Sequence, residues 1–445
     1  MQRRVTVGKP YTLFMNRLDE TPESLVRSLT AFGIALLMLN GMIGAGIFGL
    51  PQEAARLAGP WSPLLFLLCG LLIAPVMLTF AALSSHFNGT GGPILYARTA
   101  FGPLVGFQTG WAFYLARATS LAANLNLLLA SATLFYEPAD EGATRIVLLV
   151  LVCASLTAVN VLGTRHAIGS VGVLTVLKVL PLVALLLWGA PSIAAFVTPH
   201  DGADLPSEGA TASALLLVLY AFVGFESALV PAGEARNPGR DIPRALLMTL
   251  AAVTALYVAI QAVCVGVVPD LANTDRPVVD AAAHLFGPVG TVVMTAGILA
   301  SVAGNLAGSM FSSPRMTYVL ARDGQLPGWF ADVHPVFRTP HWSIVCYGAL
   351  VLCLAIAGRF ALLAAMSVLI RLLIYLVCIA ALPGVRRQFG GAETAFDLPG
   401  GYAIPALAAV LCGWLLLQVT LPSVLATAVL LGLGLVLYRA KASPT

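Results

Sequence analysis

Apolar runs of membrane-spanning length recur along this chain so densely that they dictate its fold class. A helix crossing a bilayer needs about 20 mostly apolar residues. On that ruler twelve segments can be placed: 30–58, 63–85, 103–135, 145–163, 169–190, 211–233, 245–268, 288–320, 342–358, 361–382, 403–418 and 421–438. The last two are short and share the turn Thr420–Leu421–Pro422. Only 10% of the 445 residues are charged and the mean hydropathy is +0.90, where soluble domains carry about 25% charged residues. A water-soluble fold of this length could not hide so much apolar surface, so lipid must cover it. Residues 1–29 are polar and basic, and the apolar run after them is too long for a signal-peptide core. It reads as a retained first helix.

The Lys and Arg content of the connecting segments sets orientation. With the N-terminus inside, the inner segments hold seventeen of these residues and the outer ones four: Arg56, Arg145, Arg276 and Arg359. The expectation is a multi-pass protein of the cytoplasmic (inner) membrane with both termini cytoplasmic. A net charge of +4 does not suggest a nucleic-acid partner. The seven cysteines fall in apolar stretches without CxxC spacing and read as small core residues. The six histidines sit in loops or at segment ends, and none forms an HExxH pair. No metal, cofactor or enzymatic constellation is expected.

Two segments resist a continuous helix. Gly41-Met42-Ile43-Gly44-Ala45-Gly46-Ile47-Phe48-Gly49-Leu50-Pro51 packs four glycines and a proline into eleven residues of the first segment, and each weakens a helix. The sixth segment carries Val223-Gly224-Phe225-Glu226-Ser227, with Pro231 and Gly233 beyond. Open backbone at membrane depth is tolerated only where it lines a cavity or packs on protein. An ionisable residue there, Glu226, is a functional candidate by default. If the first ten helices form two five-helix halves, the interruptions occupy corresponding places, the sequence pointer to a transporter site at the midplane. The alternative is close helix packing by small residues. A half-helix starting near Ile47 would aim N–H groups and a positive dipole end at an α-carboxylate. Carbonyls near Met42 and Ile43, with others near Phe222 and Val223, would suit an ammonium.

Four motifs, in order, carry a family resemblance. They are Gly44-Ala45-Gly46-Ile47-Phe48; Gly91-Gly92-Pro93-Ile94-Leu95-Tyr96 with Phe101-Gly102-Pro103 through Gly110-Trp111; Phe222 through Glu226 leading to Glu234-Ala235-Arg236-Asn237-Pro238-Gly239-Arg240-Asp241-Ile242-Pro243-Arg244-Ala245; and Arg315 through Arg322-Asp323-Gly324-Gln325-Leu326-Pro327. With them the chain resembles the amino acid–polyamine–organocation transporter superfamily and looks like an amino acid permease. The resemblance implies an all-α leucine-transporter-type fold, with five-plus-five inverted repeats, two C-terminal helices and alternating access. The repeats would be 30–190 and 211–382, followed by 403–438 and a tail at 439–445. By position, the amino-acid headgroup should meet Met42, Ile43, Gly44, Ala45 and Gly46 in helix one, and Phe222, Val223 and Glu226 in helix six.

Lys178 lies mid-segment, where a buried lysine is costly unless paired or neutral. Proton-coupled and exchanging relatives resemble this chain in having a helix-five lysine where sodium-coupled ones bind an ion. Lys178 and Glu226 are therefore the coupling candidates, with a purely structural tether as the alternative for Lys178. The family's arginine exchangers place a tryptophan where this chain has Ser309; the small residues around Asn305 and Ser309 lean towards a neutral side chain. Arg117 and Arg371 depart from expectation. They are candidate cavity-lining residues that would pair with Glu226 or Glu53, or bind an anionic substrate group. Tyr114, Trp111 and Tyr220 would line the cavity or simply pack. The reading is secondary amino-acid transport by proton symport or exchange. The alternatives are obligate exchange or export of a cationic or acidic amino acid or a polyamine, and, more distantly, a channel. The partners are the small-molecule substrate, the bilayer, protons as candidate coupling ion, and a second copy of the chain as a candidate homodimer.

Overall fold

A computed structural model of the chain describes residues 30–87, 91–133, 135–162, 170–197, 207–230, 235–389, 396, 398 and 400–442. The segment 1–29, and Pro231 and Gly233 beyond the second interruption, lie outside the described residues. Those described form helices and turns, with no strand element. The all-α expectation is borne out.

The first apolar segment is two helices, α1 (Ala31–Met42) and α2 (Gly46–Ala58). Thr30 starts α1 by accepting a hydrogen bond from the Gly33 N–H at 3.2 Å, satisfying one of its unpaired donors. Then follow α3 (Ser62–Ser85), a short α4 (Pro93–Phe101) and α5 (Pro103–Ala132). Gly102, at φ +90°, makes the corner between α4 and α5, a conformation that suits glycine. Helices α6 (Gly142–Leu162) and α7 (Ser170–Val197) lead to α8 (Glu208–Phe222), where the second interruption falls. A 3₁₀ segment, Phe225–Leu229, follows it. The rest are α9 (Pro238–Val267), α10 (Pro277–Ser312), α11 (Pro314–Arg322), α12 (His341–Ala357), α13 (Phe360–Phe389), α14 (Ala403–Leu416) and α15 (Leu421–Ala442).

Each of the twelve apolar segments falls on helix. The sequence reading omitted α4, and also the stretch 277–286, which Gly287 at φ +61° kinks away from the spanning part of α10. Seven helical stretches among the described residues are long and apolar enough to cross a membrane; four shorter apolar helices accompany them.

Burial sorts these helices into a centre and a rim. The most apolar windows of Glu208–Leu229 and Phe360–Phe389 are 83% and 78% buried within the protein, but those of Gly142–Leu162 and Leu421–Ala440 only 17%. The rim helices therefore turn Val147, Leu151, Val429 and Val436 outward, as a lipid-covered face requires. At the centre, α13 packs on α5 and α8, α2 on α8, and α9 on α1, α3 and α7. Tight contacts hold the two interrupted elements together. A Cβ on Gly46 would sit 2.7 Å from the Ala221 Cα, and one on Gly224 would sit 2.6 Å from the Gly41 carbonyl oxygen. Glycine at 41, 46 and 224 thus lets two backbones approach where no side chain fits.

Candidate substrate site between the two broken helices

Both interruptions are real and they face each other. α1 stops at Met42, and Ile43 takes φ −74°, ψ 87°. The Gly44 N–H turns back to the Met42 carbonyl at 2.9 Å before α2 begins at Gly46. In the sixth segment Val223 is extended and Gly224 is left-handed at φ +112°. The first N–H groups of α2 lack intrahelical partners, as at any helix start, and the dipole of α2 adds a positive end there.

Side chains from other helices occupy the broken ends. The Lys178 ammonium, on α7, donates to the Ile43 carbonyl at 2.8 Å, to the Asn40 carbonyl at 2.9 Å and to Asn40 Oδ1 at 2.6 Å. Lys178 is buried, so three oxygens around one ammonium replace its water. The Tyr257 hydroxyl, on α9, hydrogen-bonds the Met42 carbonyl at 2.9 Å and the Ala221 carbonyl at 3.1 Å, bridging both broken elements. The Met42 and Ile43 carbonyls, expected to suit an ammonium, thus already accept from Tyr257 and Lys178.

Glu226 is fully buried and committed. Its Oε1 pairs with Arg371 Nε at 2.7 Å. Its Oε2 accepts from the Gly224 N–H at 2.9 Å and from the Tyr375 hydroxyl at 3.2 Å. The carboxylate therefore pins the turn that breaks the sixth segment to α13. It lies behind the cavity wall rather than in it. Arg371 also donates to the Ala116 carbonyl at 3.2 Å, to Ser120 Oγ at 3.2 Å and to Ser367 Oγ. Glu53, the other acid weighed as a partner for the arginines, pairs with Arg56 at 2.8 Å.

Arg117 is arranged differently. Its guanidinium donates to Ser227, Ser312 and Ser313 hydroxyls, each at 2.7 Å. No carboxylate among the described residues forms an ion pair with it.

These groups surround a cavity of about 270 Å³. Of the residues singled out from sequence, Met42, Gly44, Ala45, Gly46, Arg117, Tyr220, Val223, Asn305, Ser309 and Arg371 line it. Others do not. Ile43 and Phe222 are fully buried, and Phe222 packs edge-on against Tyr257. Tyr114 stacks on Trp111, whose indole N–H donates to the Leu430 carbonyl at 2.9 Å. Both serve packing. Sequence reading missed Asn40, Ser120, Asn124 and Ser227, which line the cavity. Their polarity inside apolar segments was the available signal; for Asn40 and Ser227 it sat beside stronger ones, Gly41 and Glu226.

A family model described as Amino acid permease matches residues 29–431. The chain belongs to that family. As such a permease it is a multi-pass membrane protein of leucine-transporter-type fold, and the recognition made from its motifs holds. It is 27% identical to the branched-chain amino acid permease BcaP of Bacillus subtilis (strain 168) over 442 residues, covering 94% of this chain and 93% of that protein. It is 25% identical to the methylthioribose transporter of the same organism, covering 94% and 93%. It is 28% identical to the serine/threonine exchanger SteT, again of that organism, covering 84% and 86%.

Proposed function

We propose that this permease carries an amino acid across the cytoplasmic membrane by alternating access, with the substrate held between its two broken helices. The observation that carries the reading is the junction of two unwound segments at one polar cavity inside an apolar body. The α-carboxylate would take the N–H groups of Ala45 and Gly46 and the positive end of α2. The ammonium would take backbone oxygens of the second break near Val223. The relatives named for branched-chain amino acids and for serine and threonine exchange support the substrate class.

Coupling would run through Lys178. Its ammonium holds the end of α1 through Asn40 and Ile43, so losing its charge would loosen the hinge about which α1 turns. That placement supports proton-linked symport or exchange, and the Lys and Arg bias supports both termini inside.

Uptake of radiolabelled amino acids into proteoliposomes tests the reading. Saturable, stereoselective flux is expected. Flux only into preloaded vesicles would select exchange, and ohmic current without saturation would replace the carrier with a channel.

A further inference from the structure

We infer that the substrate's side chain is itself anionic, and that Arg117 is the residue that reads it; this rests on the amino-acid reading above. Among the described residues, the cavity lining contains two guanidinium groups, Arg117 and Arg371, and no Asp or Glu. The carboxylate behind the wall, Glu226, is spent on Arg371 at 2.7 Å, on the Gly224 N–H and on Tyr375. Lys178 adds a further cation beside the first break. The site is therefore positive as built, and within the cavity lining the charge without a carboxylate partner is that of Arg117.

Three serines from two elements fix that charge in place. Ser227 comes from the second broken segment, and Ser312 and Ser313 from the junction of α10 and α11. Hydroxyl oxygens orient a guanidinium but do not neutralise it. Three of its five N–H donors are used, and two remain for a ligand. A carboxylate entering the cavity would gain a charge-assisted contact in a low-dielectric setting, where such contacts are strongest. A lysine, arginine or polyamine substrate would meet like charge, and Glu226, paired with Arg371, lies behind the wall. The class selected is a dicarboxylic amino acid. Its α-carboxylate sits at the start of α2 and its side-chain carboxylate at Arg117.

Isosteric pairs isolate the charge. Thermal stabilisation of the purified permease by L-glutamate, L-glutamine, L-aspartate and L-asparagine, with L-lysine and the remaining amino acids alongside, gives apparent affinities by mass action. Glutamate or aspartate is expected to bind at least tenfold tighter than its amide. In Arg117→Gln that preference should fall by about tenfold or more, the worth of a hydrogen bond to a charged group. An amide or lysine binding as tightly as the acid overturns the anionic assignment and leaves amino-acid transport standing. A panel in which no amino acid binds overturns both. Should Arg117→Gln not fold, the wild-type comparison still decides.

Discussion

At the scale of single residues, the permease uses each buried charge once. Glu226 and Arg371 are 0% and 5% exposed at their side chains and saturate each other. A buried pair of this kind adds little net stability, but removing one partner strands the other at about 3–5 kcal/mol. Glu226→Gln should therefore lower the melting temperature strongly, and the double change Glu226→Gln with Arg371→Gln should recover much of the loss. Simple additivity of the two in a thermal melt would count against the pairing. Lys178 is separable in the same way. Lys178→Ala removes the tether to Asn40 and Ile43, and transport should fall to background while the protein stays in the membrane. Lys178→Gln keeps donors without charge. It should bind substrate better than the alanine variant yet lose any dependence of uptake on a proton gradient. Wild-type flux in Lys178→Ala would remove this residue from the mechanism.

At the scale of elements, what matters is that two helices stop at the same depth and are held stopped. Gly224 does this by conformation and by lack of bulk. An alanine at φ +112° is strained by about 1–2 kcal/mol, and its Cβ would collide with the Gly41 carbonyl at 2.6 Å. Gly41→Ala meets the Gly224 carbonyl oxygen at a gentler 3.1 Å. Gly224→Ala should thus destabilise the permease and weaken substrate binding more than Gly41→Ala. The reverse order in paired melting and binding measurements would refute this account of the break. Tyr257 spans the gap by polarity instead. Tyr257→Phe leaves the Met42 and Ala221 carbonyls short of a donor, at a cost of about 1–3 kcal/mol. Broken helices are thus held both by their own glycines and by groups on α7, α9 and α13.

At the scale of the whole molecule, the rim and the ends decide how the protein sits in a bilayer. Arg359 and Arg145 both pair with Asp140, at 2.9 and 3.2 Å, and Arg145 also donates to the Ala355 and Gly358 carbonyls at the end of α12. Arg98 pairs with Asp323 at 3.7 Å, close to the exposed Arg322. The proposed topology would put the first cluster outside and the second inside. In a cysteine-free background, a cysteine at Glu137 should react with an impermeant reagent on intact cells. One at Asp323 should react only after permeabilisation. The opposite pattern would invert the orientation.

Much of this was legible in the chain of residues alone. Recurrent apolar runs of about 20 residues read as membrane-spanning helices, and clustered glycines and proline oppose a continuous one, so class, spans and breaks follow from local composition. Pairing did not follow. Arg117 and Arg371 look alike in sequence, each a lone guanidinium in an apolar helix. Folding gives one a carboxylate from 145 residues away and the other three serines. Likewise the Met42 and Ile43 carbonyls seem unclaimed until α7 and α9 bring Lys178 and Tyr257 against them. Burial and chain breaks are properties of a stretch. Which charge is neutralised depends on distances between stretches, and only the packed helices set those.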